Sequence, residues 1–350
     1  MKQPRIVVVG TGGRGVGLMS SIQQIEGGGE FVAYADPHGP SRNKAAAQAP
    51  QASAFEDWRR MLSAVEADVL LVTAPQYLHC EITLAGLEAG LDIYCEKPMA
   101  ATLADCDAIV SAVSDSNSLF YVGLQLRTVP VFRHAKQLVD SGAVGTPRML
   151  FCRELRAPFI PKVDNWIADE SKSGGALVEK NVHHFDLFNW YCGGRASRVQ
   201  AIGGKALTPE QGSNPGDLID HAFVLIDYDN GARACLEMCF FCPPFAHELE
   251  IIGDNGRRLV TDLEQLKLWD PEHETRRHDV WHYSLAQAHG DRTGWLDFLD
   301  CRTSGSHAGA STGRAETGRD SVRVALAAQQ SIKTGAAVSV DPHDEHENAT

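Results

Sequence analysis

Short runs that are apolar along their whole length, separated by stretches with apolar residues at helical spacing, fill the first third of the chain. Ile6-Val7-Val8-Val9 and the runs 30–36 and 68–73 read as buried strands, with Asp92–Cys95 and 119–122 as shorter ones. Helices are predicted near 57–65, over 77–87 with Gly90 closing it, and over 102–114. Fully apolar strands alternating with helices specify a parallel, doubly wound sheet covered on both faces. Its ligand crevice should open at the carboxyl ends of the strands.

The pattern changes near residue 125. A helix is predicted over 131–141, followed by strand-like runs at 148–154, 197–202, 221–228, 232–241 and 246–252, with Asp229-Asn230-Gly231 as a turn between two of them. Strand after strand with Gly-containing turns indicates a large, mostly antiparallel open sheet. The expected organisation is therefore α/β: a Rossmann domain over 1–124, then an α+β domain over 125–350 for substrate binding and oligomerisation. Within the second, 304–313 is Gly/Ser/Ala-rich and reads as a flexible loop, 320–332 as an amphipathic helix, and 342–350 as a disordered polar tail.

Candidate chemistry begins where the first strand ends. Gly10-Thr11-Gly12-Gly13-Arg14-Gly15 follows it at once and opens a helix. In this strand–G-x-G-x-x-G–helix pattern Gly10 permits the tight turn, Gly12 lets amides approach a pyrophosphate, and Gly15 lets the helix lie close to the strand. The phosphates then meet the positive end of the helix. Asp36 closes the second strand about 20 residues on, where an acid accepts both ribose hydroxyls and repels a 2′-phosphate. NAD is thus favoured over NADP.

Composition narrows the partners. A net charge of −13 argues against nucleic acid and against an anionic membrane surface. No apolar stretch approaches the roughly 20 residues needed to span a bilayer, and no secretory segment is expected, since Met1-Lys2-Gln3-Pro4 is too short to be one. Nine scattered cysteines suit reduced thiols, so a cytoplasmic protein is expected. Cys235, Cys239 and Cys242 cluster, but in a strand-like run that ends at Pro243-Pro244, and no metal site is assigned.

Three blocks together resemble the glucose–fructose oxidoreductase / inositol dehydrogenase (Gfo/Idh/MocA) family along essentially the whole chain. They are the glycine loop; Thr73-Ala74-Pro75-Gln76-Tyr77-Leu78-His79 with Cys95-Glu96-Lys97-Pro98; and Gly174-Gly175-Ala176-Leu177-Val178-Glu179 with Asn181-Val182-His183 and Asp186. The resemblance implies that Lys97 is catalytic, placed at the carboxyl edge of the sheet to hold a substrate hydroxyl, and that Glu96 helps hold cofactor or lysine. It also implies cofactor contacts from Gly13, Arg14, Ala74, Pro75, His79, Gln125 and Trp166, although Trp166 reads equally well as plain core.

Glu179 and His183 are four residues apart, on one face of a helical turn, so the carboxylate can orient the imidazole as a base. The family usually has Asp where Glu179 stands. Lys180 and His184 depart from its small or apolar residues; with Lys97, Arg153 and Arg156 they suit an anionic substrate, or else Lys180 is simply solvated and His184 lies behind the site. Gln125 and Arg127 are expected to line the junction between the domains, and Arg127, Arg156 and His289 to contact substrate. Family members commonly form homodimers or homotetramers through the second sheet's outer face.

The implied activity is hydride transfer between NAD and a secondary alcohol of a sugar, sugar derivative or cyclic polyol. One alternative is an NAD-dependent glycosidase working by transient oxidation, elimination and re-reduction, with His184, Tyr121, Tyr283 or His289 as an added acid or base. A third reading is a non-catalytic nucleotide sensor.

Overall fold

A computed structural model describes residues 3–212, 214–271, 278–284, 290–304 and 313–340. The apolar runs of the first third become strands β1 (Arg5–Val9), β2 (Glu30–Ala35), β3 (Ser53–Phe55), β4 (Val69–Val72), β5 (Asp92–Cys95) and β6 (Phe120–Val122). Helices α1 (Gly13–Gln23), α2 (Gly39–Gln48), α3 (Trp58–Ala64), α4 (His79–Glu88) and α5 (Leu103–Ser114) alternate with them. All six strands are parallel, in the order β3-β2-β1-β4-β5-β6. The order reverses between β1 and β4, and crevices for dinucleotides lie at such a reversal. Local signals set the helix starts: Asp57 and Thr102 cap α3 and α5 by accepting from the Arg59 and Asp105 amides.

The remaining elements are α6 (Pro130–Asp140), β7 (Pro147–Leu155), α7 (Glu170–Ser173), α8 (Val182–Cys192), β8 (Ala196–Gly204), β9 (His221–Tyr228), β10 (Arg233–Cys239), β11 (Ala246–Gly253), β12 (Arg258–Thr261), β13 (Gln265–Trp269), β14 (His278–His282), α9 (Gly290–Ser304), α10 (Ala315–Thr334) and β15 (Val338–Ser339). Nine of the strands form one sheet, β14-β13-β12-β11-β7-β10-β9-β8-β15. Its pairs are antiparallel apart from β7 with β10. Leu150, Leu236, Val224 and Leu249 point into the core, while Met149, Ile202, Phe223 and Leu225 are exposed on the alternate positions.

The chain divides into two compact units, residues 1–128 with 290–322, and 129–289 with 323–350. The expected boundary at 124/125 is close to the first crossing, but the expectation that everything beyond it belongs to the second domain needs correction, because α9 returns to the first unit. Trp295 and Phe298 are fully buried there with Tyr94 and Tyr121. Trp295 Nε1 donates to the Gly28 carbonyl at 2.7 Å, and Arg302 Nε to Asp92 at 2.7 Å. Burying each large aromatic contributes about 1.5–3 kcal/mol, enough to draw a helix back across the sequence. The expected loop 304–313 and tail 342–350 fall mostly or wholly outside the described residues.

Candidate active site

Within the first unit, the candidate residues gather at the edge of the sheet where β1, β4 and β5 end. Gly10 has φ of +93°, and a Cβ on it would lie 2.4 Å from the Ala74 nitrogen. A Cβ on Gly15 would lie 2.1 Å from the Gly10 oxygen, so α1 sits as close to the loop as a glycine allows. Beside Gly12 and Gly13 a Cβ would meet nothing within 4 Å, leaving the loop open there. Helix α1 begins with no side-chain cap and no acid in its first turn, so its amides suit an anion. Asp36 accepts from the Thr11 and His38 amides, each at 2.8 Å, which fixes its carboxylate beside the glycine loop with lone pairs to spare. Open space, free helix amides and an oriented acid together fit a dinucleotide with an unmodified ribose.

Beyond the loop, Arg14 joins Glu96 and Gln125, both expected near the cofactor, and Asp291 into one network. Its Nη2 donates to Glu96 Oε1 at 2.6 Å and to Gln125 Oε1 at 2.8 Å, and its Nη1 to Asp291 Oδ2 at 2.8 Å. Glu96 is buried, and its other oxygen accepts from the Lys97 amide at 3.2 Å. The carboxylate therefore steadies both the start of α1 and the turn that carries Lys97. His79 is 1% exposed, with Nδ1 2.9 Å from the Pro98 carbonyl and Nε2 2.8 Å from the Ala74 carbonyl. Burial lowers its pKa, while the two carbonyls pull in the opposite direction. Both ring nitrogens are spent on backbone, so His79 clamps the turns after β4 and β5, and Ala74 and Pro75 are positioned by the same clamp.

Within the second unit, the turn before α8 carries Glu179 and Lys180, and α8 carries His183. Leu177–Asn181 is π-helical, one residue wider per turn than the expected α-helix, and such insertions are frequent at functional sites. Glu179 is buried, and its Oε2 lies 3.0 Å from Lys180 Nζ. Lys180 also sits 5.1 Å over the Phe159 ring, so it is not a plain solvated lysine. Partial desolvation, together with the Lys180 ammonium, lowers the pKa of Lys162, a cation that sequence reasoning missed. His183 is the second residue of α8, with Nδ1 buried. Trp166 is half-buried in the 3-10 turn Val163–Ala168, where Asp164 and Asn165 adopt φ of 53° and 47°. Asp186 is buried within α8.

Two expected cations are spent elsewhere. Arg153 lies on the opposite face of β7 from Glu154 and pairs with Glu237 at 2.6 Å and Glu248 at 3.6 Å, which removes it from any cationic pocket. Arg156 donates to buried Glu154 at 3.0 Å. His184 is also buried, 3.8 Å from Glu154, and stacks on His247 at 5.0 Å. Glu154 and His247 come from alternate inward positions of two strands, a signal visible only once the strands are paired. Arg127 is buried in the first unit. His289 lies outside the described residues.

The family described as "Oxidoreductase family, NAD-binding Rossmann fold" matches residues 4–124, and the "GFO/IDH/MocA C-terminal domain" matches residues 132–258. The chain belongs to the Gfo/Idh/MocA oxidoreductase family. Relatives include inositol 2-dehydrogenase 3 of Saccharopolyspora erythraea, 29% identical over 74% of this chain and 73% of that protein. Another is the 2,7-anhydro-N-acetylneuraminate hydratase of Mediterraneibacter gnavus, 28% identical over 68% of this chain; the match spans 62% of that protein's length. In fold, this Gfo/Idh/MocA member is similar to an oxidoreductase domain protein from Kribbella flavida, with TM-score 0.83, 22% identity and coverage of 97% and 100%. It is similar as well to a levoglucosan dehydrogenase solved with NADH, with TM-score 0.82, 21% identity and coverage of 96% and 99%. At these identities the structural likeness is one of fold.

Proposed function

We propose that this Gfo/Idh/MocA protein is an NAD-dependent dehydrogenase acting on a secondary alcohol of a sugar, sugar derivative or cyclic polyol. The observation that carries the reading is the edge of the first sheet. There an open glycine loop, an oriented Asp36 and the Glu96-steadied turn of Lys97 come together. The relatives named as inositol dehydrogenases support the substrate class.

NAD bound on that loop supplies the hydride acceptor. The Lys97 ammonium donates a hydrogen bond to the substrate hydroxyl and stabilises the negative charge that grows on its oxygen. His183 takes the hydroxyl proton at Nε2, and Glu179 on the same turn orients the imidazole. Lys180 is held by Glu179 and, with Lys162, favours substrates with an acidic group. Glu96, His79, Ala74, Pro75, Gln125 and Arg14 position the turns around the cofactor, and Trp166 completes the set drawn from the family resemblance.

The exposed Ile202, Phe223 and Leu225 support self-association into a homodimer or homotetramer through the outer face of the second sheet. The nine cysteines are all free thiols, which supports a reducing, cytoplasmic setting. Among the described residues no helix is long and apolar enough to cross a membrane.

One relative is named a hydratase, so the test must read product as well as NADH. Purified protein with NAD is offered neutral and anionic sugars, cyclic polyols, anhydro-sugars and glycosides. Equimolar NADH and ketone from one compound class is the expected result. Release of an aglycone or a hydrated product without net NADH overturns the dehydrogenase in favour of a redox-assisted lyase or glycosidase. NADH binding with no turnover of any compound favours a sensor.

A further inference from the structure

Strand β7 and its antiparallel neighbour β11 place two unusual residues on the inner face of the second sheet. Cys152 lies opposite Leu249, and His247 lies opposite Glu154, so the two side chains are diagonal neighbours. The first turn of α8 brings His184 over them. Each is nearly inaccessible, at 2%, 4% and 3% exposure respectively, within a core otherwise made of residues such as Phe132, Leu150, Phe185 and Ile251. A thiol and two imidazoles have no packing advantage over leucines there.

We propose that Cys152, His184 and His247 form a binding site for one divalent transition-metal ion, zinc by the chemistry of its donors. One ligand atom from each residue lies within 4.8 Å of the others. Cys152 Sγ and His247 Nε2 are 3.7 Å apart. A tetrahedral zinc ion with Zn–S of about 2.3 Å and Zn–N of about 2.0–2.1 Å separates its S and N ligands by roughly 3.6 Å, so this pair is already spaced to share an ion. Two imidazoles and a thiol select zinc, cobalt or copper over magnesium or calcium, which need oxygen ligands.

Glu154, with Oε2 3.8 Å from His184 Nε2, adds negative charge beside the site and is itself held by Arg156 and Asn181. On binding, the Cys152 thiol gives up its proton to solvent, a sulfur–metal bond forms, and water takes the fourth position. The ion would tie β7 and β11 to the first turn of α8, the turn that carries His183. The proposal does not depend on the dehydrogenase reading.

The test uses the full-length protein, treated with chelator and titrated with cobalt(II), then with zinc(II). One cobalt per chain is expected, giving a thiolate-to-cobalt charge-transfer band and the intense visible bands of tetrahedral cobalt, both removed by zinc. Cys152→Ser should abolish the charge-transfer band, and His247→Gln should weaken binding at least tenfold. A variant with Cys235, Cys239 and Cys242 all changed to Ser should keep every signal. Absence of the band in the wild type, its survival in folded Cys152→Ser, or its loss in the triple variant overturns the site. Should Cys152→Ser fail to fold, X-ray absorption of the zinc-loaded wild type decides. One sulfur at about 2.3 Å with nitrogen neighbours at about 2.0 Å supports the site, and a shell of oxygen and nitrogen alone, or of several sulfurs, refutes it.

Discussion

Gly15→Ala isolates the closest approach in the nucleotide loop. The added Cβ would stand 2.1 Å from the Gly10 oxygen and 2.7 Å from Thr73 Oγ1, and the Gly10 oxygen is backbone that cannot rotate away. Restoring ordinary contact at 3.4 Å displaces the first turn of α1 by about 1.3 Å. Overpacking of this kind costs about 1–3 kcal/mol, and the upper half applies because the obstacle is main chain. Alanine's helix preference returns up to about 1 kcal/mol, leaving a net loss of about 1–2 kcal/mol. The same displacement moves the helix amides away from the phosphates. Losing one charge-assisted hydrogen bond, worth about 1.5–3 kcal/mol, weakens NADH roughly ten- to a hundredfold.

Urea unfolding and a fluorescence titration with NADH measure the two effects. Gly13→Ala is the control: its Cβ meets no protein atom within 4 Å, so stability should be unchanged or slightly raised while NADH binding still weakens. Wild-type stability and wild-type NADH affinity in Gly15→Ala would refute the close-approach reading of the loop.

Other outcomes follow from the same geometry. Lys97→Ala should lower kcat at least about a hundredfold, the scale for losing a charge-stabilising donor, with the Kd for NADH unchanged in titration; near-normal turnover removes Lys97 from the chemistry. Asp36→Ala should weaken NAD and narrow the preference over NADP, read as the ratio of the two kcat/KM values; an unchanged ratio means another group reads the ribose. Burial alone would raise the pKa of Asp220, but His221 and the amides of Ala206 and Leu207 outweigh it and hold the carboxyl below the usual range. Its stabilising contribution is therefore complete above the ordinary aspartate pKa of about 3.9 and is lost as pH falls through the lower folded value. The stability gap between wild type and Asp220→Asn should accordingly be widest at neutral pH and close in strong acid, and a gap that widens with acid contradicts this. Phe223→Glu, at a side chain 57% exposed on the outer sheet face, should shift the mass seen by light scattering towards the monomer.

The first unit was largely legible because its signals are local. Four-residue apolar strands and a glycine spacing fix β1, α1 and β4 without reference to the rest of the chain. What escaped depends on tertiary pairing. Ser53–Phe55 is too short and too exposed to read as a strand and is recruited by β2, while β12, β13 and β14 extend a sheet edge with mixed patterning. The return of helix α9 to the first unit follows from where Trp295 and Phe298 find an aromatic core, which no local pattern announces.

The candidate site divides the same way. Lys97, Glu179 and His183 stand in contiguous motifs, whereas the carboxylate clamp on Arg14 joins residues 14, 96 and 291. The Cys152–His184–His247 group likewise draws one residue from each of three separate elements. No linear spacing announces either. The π-helical turn at Leu177–Asn181 adds a residue that apolar periodicity does not reveal.

The most direct test of the dehydrogenase reading follows the hydrogen itself. A substrate found active in the panel is prepared with deuterium on its carbinol carbon and turned over with NAD, and the reduced cofactor is analysed by mass spectrometry. Deuterium carried on the nicotinamide, one label per ketone formed, is the expected result. Product that keeps the label or loses it to water, with no labelled NADH, would contradict hydride transfer as the net reaction.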